Sequence, residues 1–133
     1  MPSVIKDFQK INRLCDLLKS YPLYKDGHWV GVVQTERGYS ASYWPSHSRS
    51  QNKGGTGFDI EIRGQTGDVL DISIKLPWKR QGHGKRLYQI IEEFCKEQGC
   101  TEIQTMPSGE GQAFWPALGF NIPCKVGLKK KIA

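Results

Sequence analysis

The stretch "LPWKRQGHGKRLYQIIEEF", Leu76–Phe94, sets two glycines one residue apart. His83 stands between Gly82 and Gly84, and Lys79, Arg80, Lys85 and Arg86 surround them. Leu87, Ile90, Ile91 and Phe94 then recur at three- and four-residue spacing, which predicts an amphipathic helix with this stripe in the core. Gly99 is the predicted stop. A helix start leaves backbone N–H groups unpaired and carries partial positive charge. A strand, a glycine turn and a helix in series therefore offer donors for a phosphate. Glycine permits positive φ and close approach of the backbone to a ligand. The neighbouring cations suit a pyrophosphate. Two other phosphate loops do not fit: GxxxxGK[ST] is absent, and GxGxxG would need glycine where Leu87 stands. An exposed basic turn whose glycines serve only the chain reversal is the alternative.

The rest of the 133-residue chain bounds the answer. Its length predicts one domain, residues 1–133, large enough for a core without staples. Apolar residues at 38% and charged residues at 24% argue against disorder. No apolar run is long enough for a transmembrane helix, so no membrane partner is expected. The opening "MPSVIKDFQKINRL" is too charged for a secretory signal, so a cytoplasmic location is expected. Cys15, Cys95, Cys100 and Cys124 form no CxxC pair, and with three histidines they predict reduced, buried thiols and no metal site. The net charge of +6 suits an anionic partner without naming it.

Ser3–Ser20 reads as a helix capped by Ser3, with Ile5, Phe8, Ile11, Leu14 and Leu18 on one face. Trp29–Gln34 and Tyr39–Trp44 read as strands around "TERG". Pro45–Gly57 is polar and glycine-rich and reads as a mobile surface loop. Phe58–Arg63 and Asp68–Lys75 form a hairpin around "GQTG". After the Gly82 helix come a strand in "TEIQTMP", a short helix in "SGEGQAFWPAL" and a strand in "KVGLKKKI". This order is that of one α/β domain.

Two motifs in this frame carry a resemblance. Lys79-Arg80-Gln81-Gly82-His83-Gly84 follows an apolar strand, and Trp115-Pro116-Ala117-Leu118-Gly119-Phe120 closes a short helix. Together they resemble the GCN5-related N-acetyltransferase (GNAT) superfamily, over about half the chain, Asp68 to Phe120. That family's loop reads Arg/Gln-x-x-Gly-x-Gly/Ala, and its later motif reads Tyr-x-x-x-Gly-Phe. The resemblance implies an α/β (α+β) fold with a mixed, mostly antiparallel central sheet flanked by helices. It implies acetyl-CoA as co-substrate and a primary amine as acceptor. The pyrophosphate would lie on N–H groups from Gln81 to Lys85, with Lys79, Arg80, Gly82, His83 and Gly84 around it. The pantetheine arm would pair with the strand Ile72 to Leu76, and a backbone N–H near Ile74 would hold the acetyl carbonyl. The family's Asn near the start of the last helix falls on Ser108. Trp115 falls where many members have a Tyr as general acid, and an indole is no acid at neutral pH.

An amine must lose a proton before it attacks. The family's glutamate base lies fourteen residues before the first loop glycine, which lands on Asp68. Asp68 as a turn residue closing "GQTG" is the alternative. Asp71, three residues on, faces the opposite side of a regular strand, and a bulge would change that. His47 and His83 are further candidates, and His28 has no evident role. Three functions follow: an acetyl-CoA-dependent N-acetyltransferase, a coenzyme A-binding regulatory module with weak or no catalysis, and a small RNA-binding domain. No nucleic-acid signature supports the third. Monomer and homodimer are both compatible with the sequence.

Overall fold

A computed structural model describes residues 7–22, 27–45, 56–74, 82–107 and 111–133. The elements are α1 (Phe8–Lys19), β1 (His28–Gln34), β2 (Gly38–Pro45), β3 (Thr56–Arg63), β4 (Thr66–Ser73), α2 (His83–Glu97), β5 (Glu102–Thr105), α3 (Gly111–Ala117), β6 (Ile122–Cys124) and β7 (Gly127–Lys131). The strands form one sheet in the order β1-β2-β3-β4-β5-β7-β6. Every pairing is antiparallel except β4 with β5. The expected mixed, mostly antiparallel sheet with flanking helices is the observed architecture.

Period-two alternation sorts the strands. Tyr39, Ala41 and Tyr43 of β2 and Phe58 and Ile60 of β3 are buried, whereas Ser40, Ser42, Asp59 and Glu61 alternate to the other face. The buried face carries both long helices. Tyr43 donates to the Leu18 carbonyl at the end of α1. The Tyr39 ring meets Phe94 of α2 edge-on, with centroids 5.1 Å apart. Leu14, Leu17 and Leu18 of α1 and Leu87, Ile90, Ile91 and Phe94 of α2 fill the layer between, as the stripe on α2 predicts. Arg13 of α1 clamps the helices together through Glu97, 2.7 Å away.

Several boundaries differ from expectation. Asp7, not Ser3, caps α1 by accepting from the Lys10 N–H at 3.1 Å. The carboxylate stands at the positive helix end, and Ser3 lies outside the described residues. Residues 46–55 of the expected loop, His47 among them, lie outside the described residues. Thr56 and Gly57 do not belong to a loop: they open β3, and Thr56 is buried. Strand β6 is an addition, a three-residue partner of β7. All four cysteines are free thiols, and Cys95 and Cys100 are buried as expected. Burial raises the pKa of both.

The ends of α2 and α3 share one device. Gly99, at φ +88°, follows α2, and the Cys100 N–H bonds back to the Cys95 carbonyl at 2.9 Å. Gly119, at φ +98°, follows α3, and the Phe120 N–H bonds back to the Trp115 carbonyl at 3.2 Å. Both are Schellman caps, in which an apolar pair brackets the glycine. In α3 that pair is Trp115 and Phe120, with ring centroids 5.0 Å apart. The three fixed positions of the Trp-x-x-x-Gly-Phe motif therefore serve to end a helix.

Candidate functional site

Strand β4 outruns β5. It pairs with β3 as far as Ser73, but β5 accompanies it only from Thr66↔Glu102 to Val69↔Thr105. From Leu70 to Ile74 the β5 side of β4 thus offers backbone groups that no described strand takes up. Such a strip accepts an extended ligand as an added strand. Ile72 and Ile74 point their side chains toward the core, half-buried, so only their backbone faces this gap.

Beyond the gap lies the start of α2. Gly82 is its N-cap at φ +83°, with no side-chain cap and no acidic residue in the first turn. The first helical bond runs from the Arg86 N–H to the Gly82 carbonyl at 3.1 Å. The N–H groups of His83, Gly84 and Lys85 precede it. Among the described residues no partner takes these donors and no acid stands in the first turn, an arrangement that suits an anion. The two glycines differ in purpose. Gly82 needs the left-handed conformation, which an L side chain enters at a cost of about 1–2 kcal/mol. Gly84 is helical, and a Cβ there would stand 3.2 Å from the Phe114 ring and 4.0 Å from Ile74. Its first duty is to let α3 and β4 close on α2. Burial lowers the His83 pKa, so the imidazole is neutral at pH 7. Leu76, Lys79, Arg80, Gln81 and Ser108, expected at this site, lie outside the described residues.

Asp68, the expected base, sits on β4 among charged neighbours. Asp68 is 7% exposed, opposite Glu61 and 3.5 Å from the Arg63 guanidinium. It also lies six residues before Ile74, about 20 Å along the strand. A base that far from a carbonyl donor at Ile74 would lie beyond direct hydrogen-bond reach of the attacking amine. A β-bulge explains what the spacing hid. The register slips between Ile60↔Val69 and Asp59↔Asp71, leaving Leu70 over. Asp71 therefore shares a face with Asp68 despite the odd separation. That face holds a hollow of about 200 Å³ lined by Ser40, Ser42, Asp59, Asp71 and Ser73. The Ser73 hydroxyl donates to Asp71 at 2.7 Å. Asp59 was not foreseen as a site residue, although the alternation of "FDIEIR" turns it to this face.

Trp115 is 6% exposed and packs edge-on against Phe114, Tyr88 and Phe120, with centroids 5.0, 5.8 and 5.0 Å away. Its surroundings are those of a packing anchor, the alternative to the family's general-acid position. The neighbouring phenol does not replace it as an acid. Burial first, then the Glu92 carboxylate 2.8 Å away, push the Tyr88 pKa up. Among the described residues no group of His, Cys, Asp and Glu could hold a metal ion. No described helix is long and apolar enough to cross a membrane.

Comparisons with known proteins agree with this geometry. Among curated proteins no sequence is significantly similar. The PaiA N-acetyltransferase of Thermoplasma acidophilum, solved with coenzyme A, is 16% identical with a TM-score of 0.56, over 69% of this chain and 59% of that one. The chain thus spans under two thirds of that protein's length. A Bacillus subtilis acetyltransferase in complex with CoA is 18% identical with a TM-score of 0.53, over 73% and 78% of the two chains. The ribosomal-protein alanine N-acetyltransferase of Escherichia coli is 14% identical with a TM-score of 0.56, over 98% and 92%. The family model described as the acetyltransferase (GNAT) family matches residues 4–120. A sheet opened beside β4, an uncapped glycine turn and a match across most of the sequence together make this chain a member of the GNAT acetyltransferase family.

Proposed function

We propose that the protein transfers an acetyl group from acetyl-CoA to a primary amine. The observation that carries this reading is that Leu70–Ile74, which no described strand pairs on the β5 side, ends beside the first turn of α2, with Ile74 4.0 Å from a Cβ placed at Gly84. Acetyl-CoA, when bound, supplies the activated acetyl thioester. The backbone of Ile72 and Ile74 would hold its arm, and the N–H groups of His83, Gly84 and Lys85 its diphosphate, with Lys79, Arg80 and Gln81 beside them. Ser108 is proposed for the family's Asn position on the sequence pattern alone. A β4 N–H near Ile74 would stabilise negative charge developing on the acetyl oxygen.

Asp71 is the base this reading favours over Asp68. It is the β4 carboxylate nearest the free edge, it lines the hollow, and Ser73 orients it. The leaving group needs no acid as strong as a carboxyl, since a free thiol titrates near pH ~8.5. Solvent therefore serves where Trp115 does not. Asp71→Asn is expected to slow thiol release by about 10²–10⁴-fold, while Asp68→Asn stays within a few-fold of wild type. The reverse ranking in a thiol-release assay would return the role to Asp68.

Titration with acetyl-CoA tests the reading as a whole. A ligand at a hundredfold excess over its dissociation constant adds about 2.7 kcal/mol to stability. A melting temperature unmoved by millimolar acetyl-CoA would end it. The buried Trp115 favours a second reading, a coenzyme A-binding module without catalysis. Binding without thiol release across amines and peptides would select that one.

A further inference from the structure

Tyr21 follows α1 by two residues and reaches the start of α2. Its hydroxyl lies 3.2 Å from Nδ1 of His83, and the two rings meet edge-on with centroids 5.8 Å apart. Arg86, one turn along α2, sets its guanidinium 5.4 Å from the centre of the Tyr21 ring. The Tyr21 carbonyl lies 3.3 Å from the Tyr43 hydroxyl of β2, whose one proton it shares with the Leu18 carbonyl. A neutral imidazole protonated on Nε2 accepts the phenol proton at Nδ1, and the other tautomer donates from Nδ1 to the phenol oxygen, so either one joins the two side chains. A second contact limits the same turn, where the Phe114 ring lies against Gly84. The first turn of α2 is thus held by Tyr21 through His83 and by α3 through Gly84.

We propose that Tyr21 and His83 are positioning residues for an anionic, diphosphate-bearing cofactor: the Tyr21 hydroxyl, by holding His83 Nδ1, fixes the direction of the first N–H groups of α2. The inference rests on the reading of this helix start as the diphosphate site. Its physical basis is that the N–H groups of His83, Gly84 and Lys85 come before the first helical bond. A turn at this point frays unless something outside the helix holds it. Donors held in place before the ligand arrives spare the cost of ordering them on binding. No acidic cap does this work, because none is present in the first turn. A carboxylate there would also repel the ligand, whereas a phenol–imidazole pair holds the turn without negative charge.

The test uses the full chain and coenzyme A as probe, with the dissociation constant from calorimetry and the melting temperature measured on each variant. Loss of one neutral hydrogen bond corresponds to a factor of about 2 to 12. Tyr21→Phe and His83→Leu are each expected to weaken binding by about 3- to 10-fold. The double variant is expected to be no weaker than the poorer single one, because both remove the same contact. His83→Asn, whose amide can stand near the place of Nδ1, is expected to regain most of the affinity. A contact of structural value alone would lower the melting temperature and leave the dissociation constant where it was. Unchanged binding in Tyr21→Phe, or losses that multiply in the double variant, overturns the inference while the cofactor site stands. A wild-type protein that takes up no coenzyme A overturns both.

Discussion

Trp115→Ala is expected to remove about 3–5 kcal/mol of stability, as for other large aromatic truncations in cores. The indole is 6% exposed and touches three aromatic rings from α2, α3 and the chain after α3. It also supplies the helix side of the apolar pair that closes α3 over Gly119. Its removal opens a cavity and loosens the helix end in one change. A typical domain has only about 5–15 kcal/mol in total, so the melting temperature should fall by roughly 10 °C or more. Thermal and urea unfolding of the variant measure this directly. Trp115→Tyr keeps an aromatic ring and should cost less, with no gain in thiol release. A rate gain of tens-fold in that variant would restore Trp115 to the general-acid position and remove the packing account.

Gly84→Val is expected to abolish coenzyme A binding and to destabilise the fold as well. The added Cβ meets the Phe114 ring at 3.2 Å, and the two methyl groups reach further into a space that Phe114 and Ile74 already occupy. Overpacking of this kind costs about 1–3 kcal/mol. Phe114 must swing aside, and the first turn of α2 loses one of its two supports. Gly84→Ala asks for a displacement of only a few tenths of an ångström and should retain measurable binding. Calorimetry and melting curves on both variants give the order wild type, Ala, Val in each property. A Gly84→Val protein with wild-type affinity would move the anion site away from this turn.

The parts of the fold set by strong local chemistry were legible in the sequence. The stripe from Leu87 to Phe94 and the stop at Gly99 appear where the spacing puts them. The hairpins around "TERG" and "GQTG" do too, within two residues. The bulge at Leu70 was not legible, because one extra residue in a strand changes no residue type and reverses the face of everything after it. It bears on the proposed base, since counting from Gly82 finds a position and not a direction. Strand β6 is three residues with a central proline, too little for any periodicity. Trp115 matched a motif whose tyrosine suggests an acid, yet most of that motif is the closing of a helix. Tyr21 gave no signal: it stands before Pro22 after a helix end, and only the fold brings it to His83, 62 residues away.

The one parallel pairing, four residues of β4 beside four of β5, has a consequence for the order in which the molecule assembles. Partners in this seam, such as Thr66 and Glu102, are 36 residues apart in the chain. The β1–β2 and β3–β4 pairs close over short turns and pay little loop entropy, whereas β5 can join only when α2 has crossed over and packed. The sheet is thus completed in its middle by its least local contact. Loop-closure entropy thus places this seam after the two hairpins, and the side of β4 left open beyond Val69 takes no part in those early, local pairings.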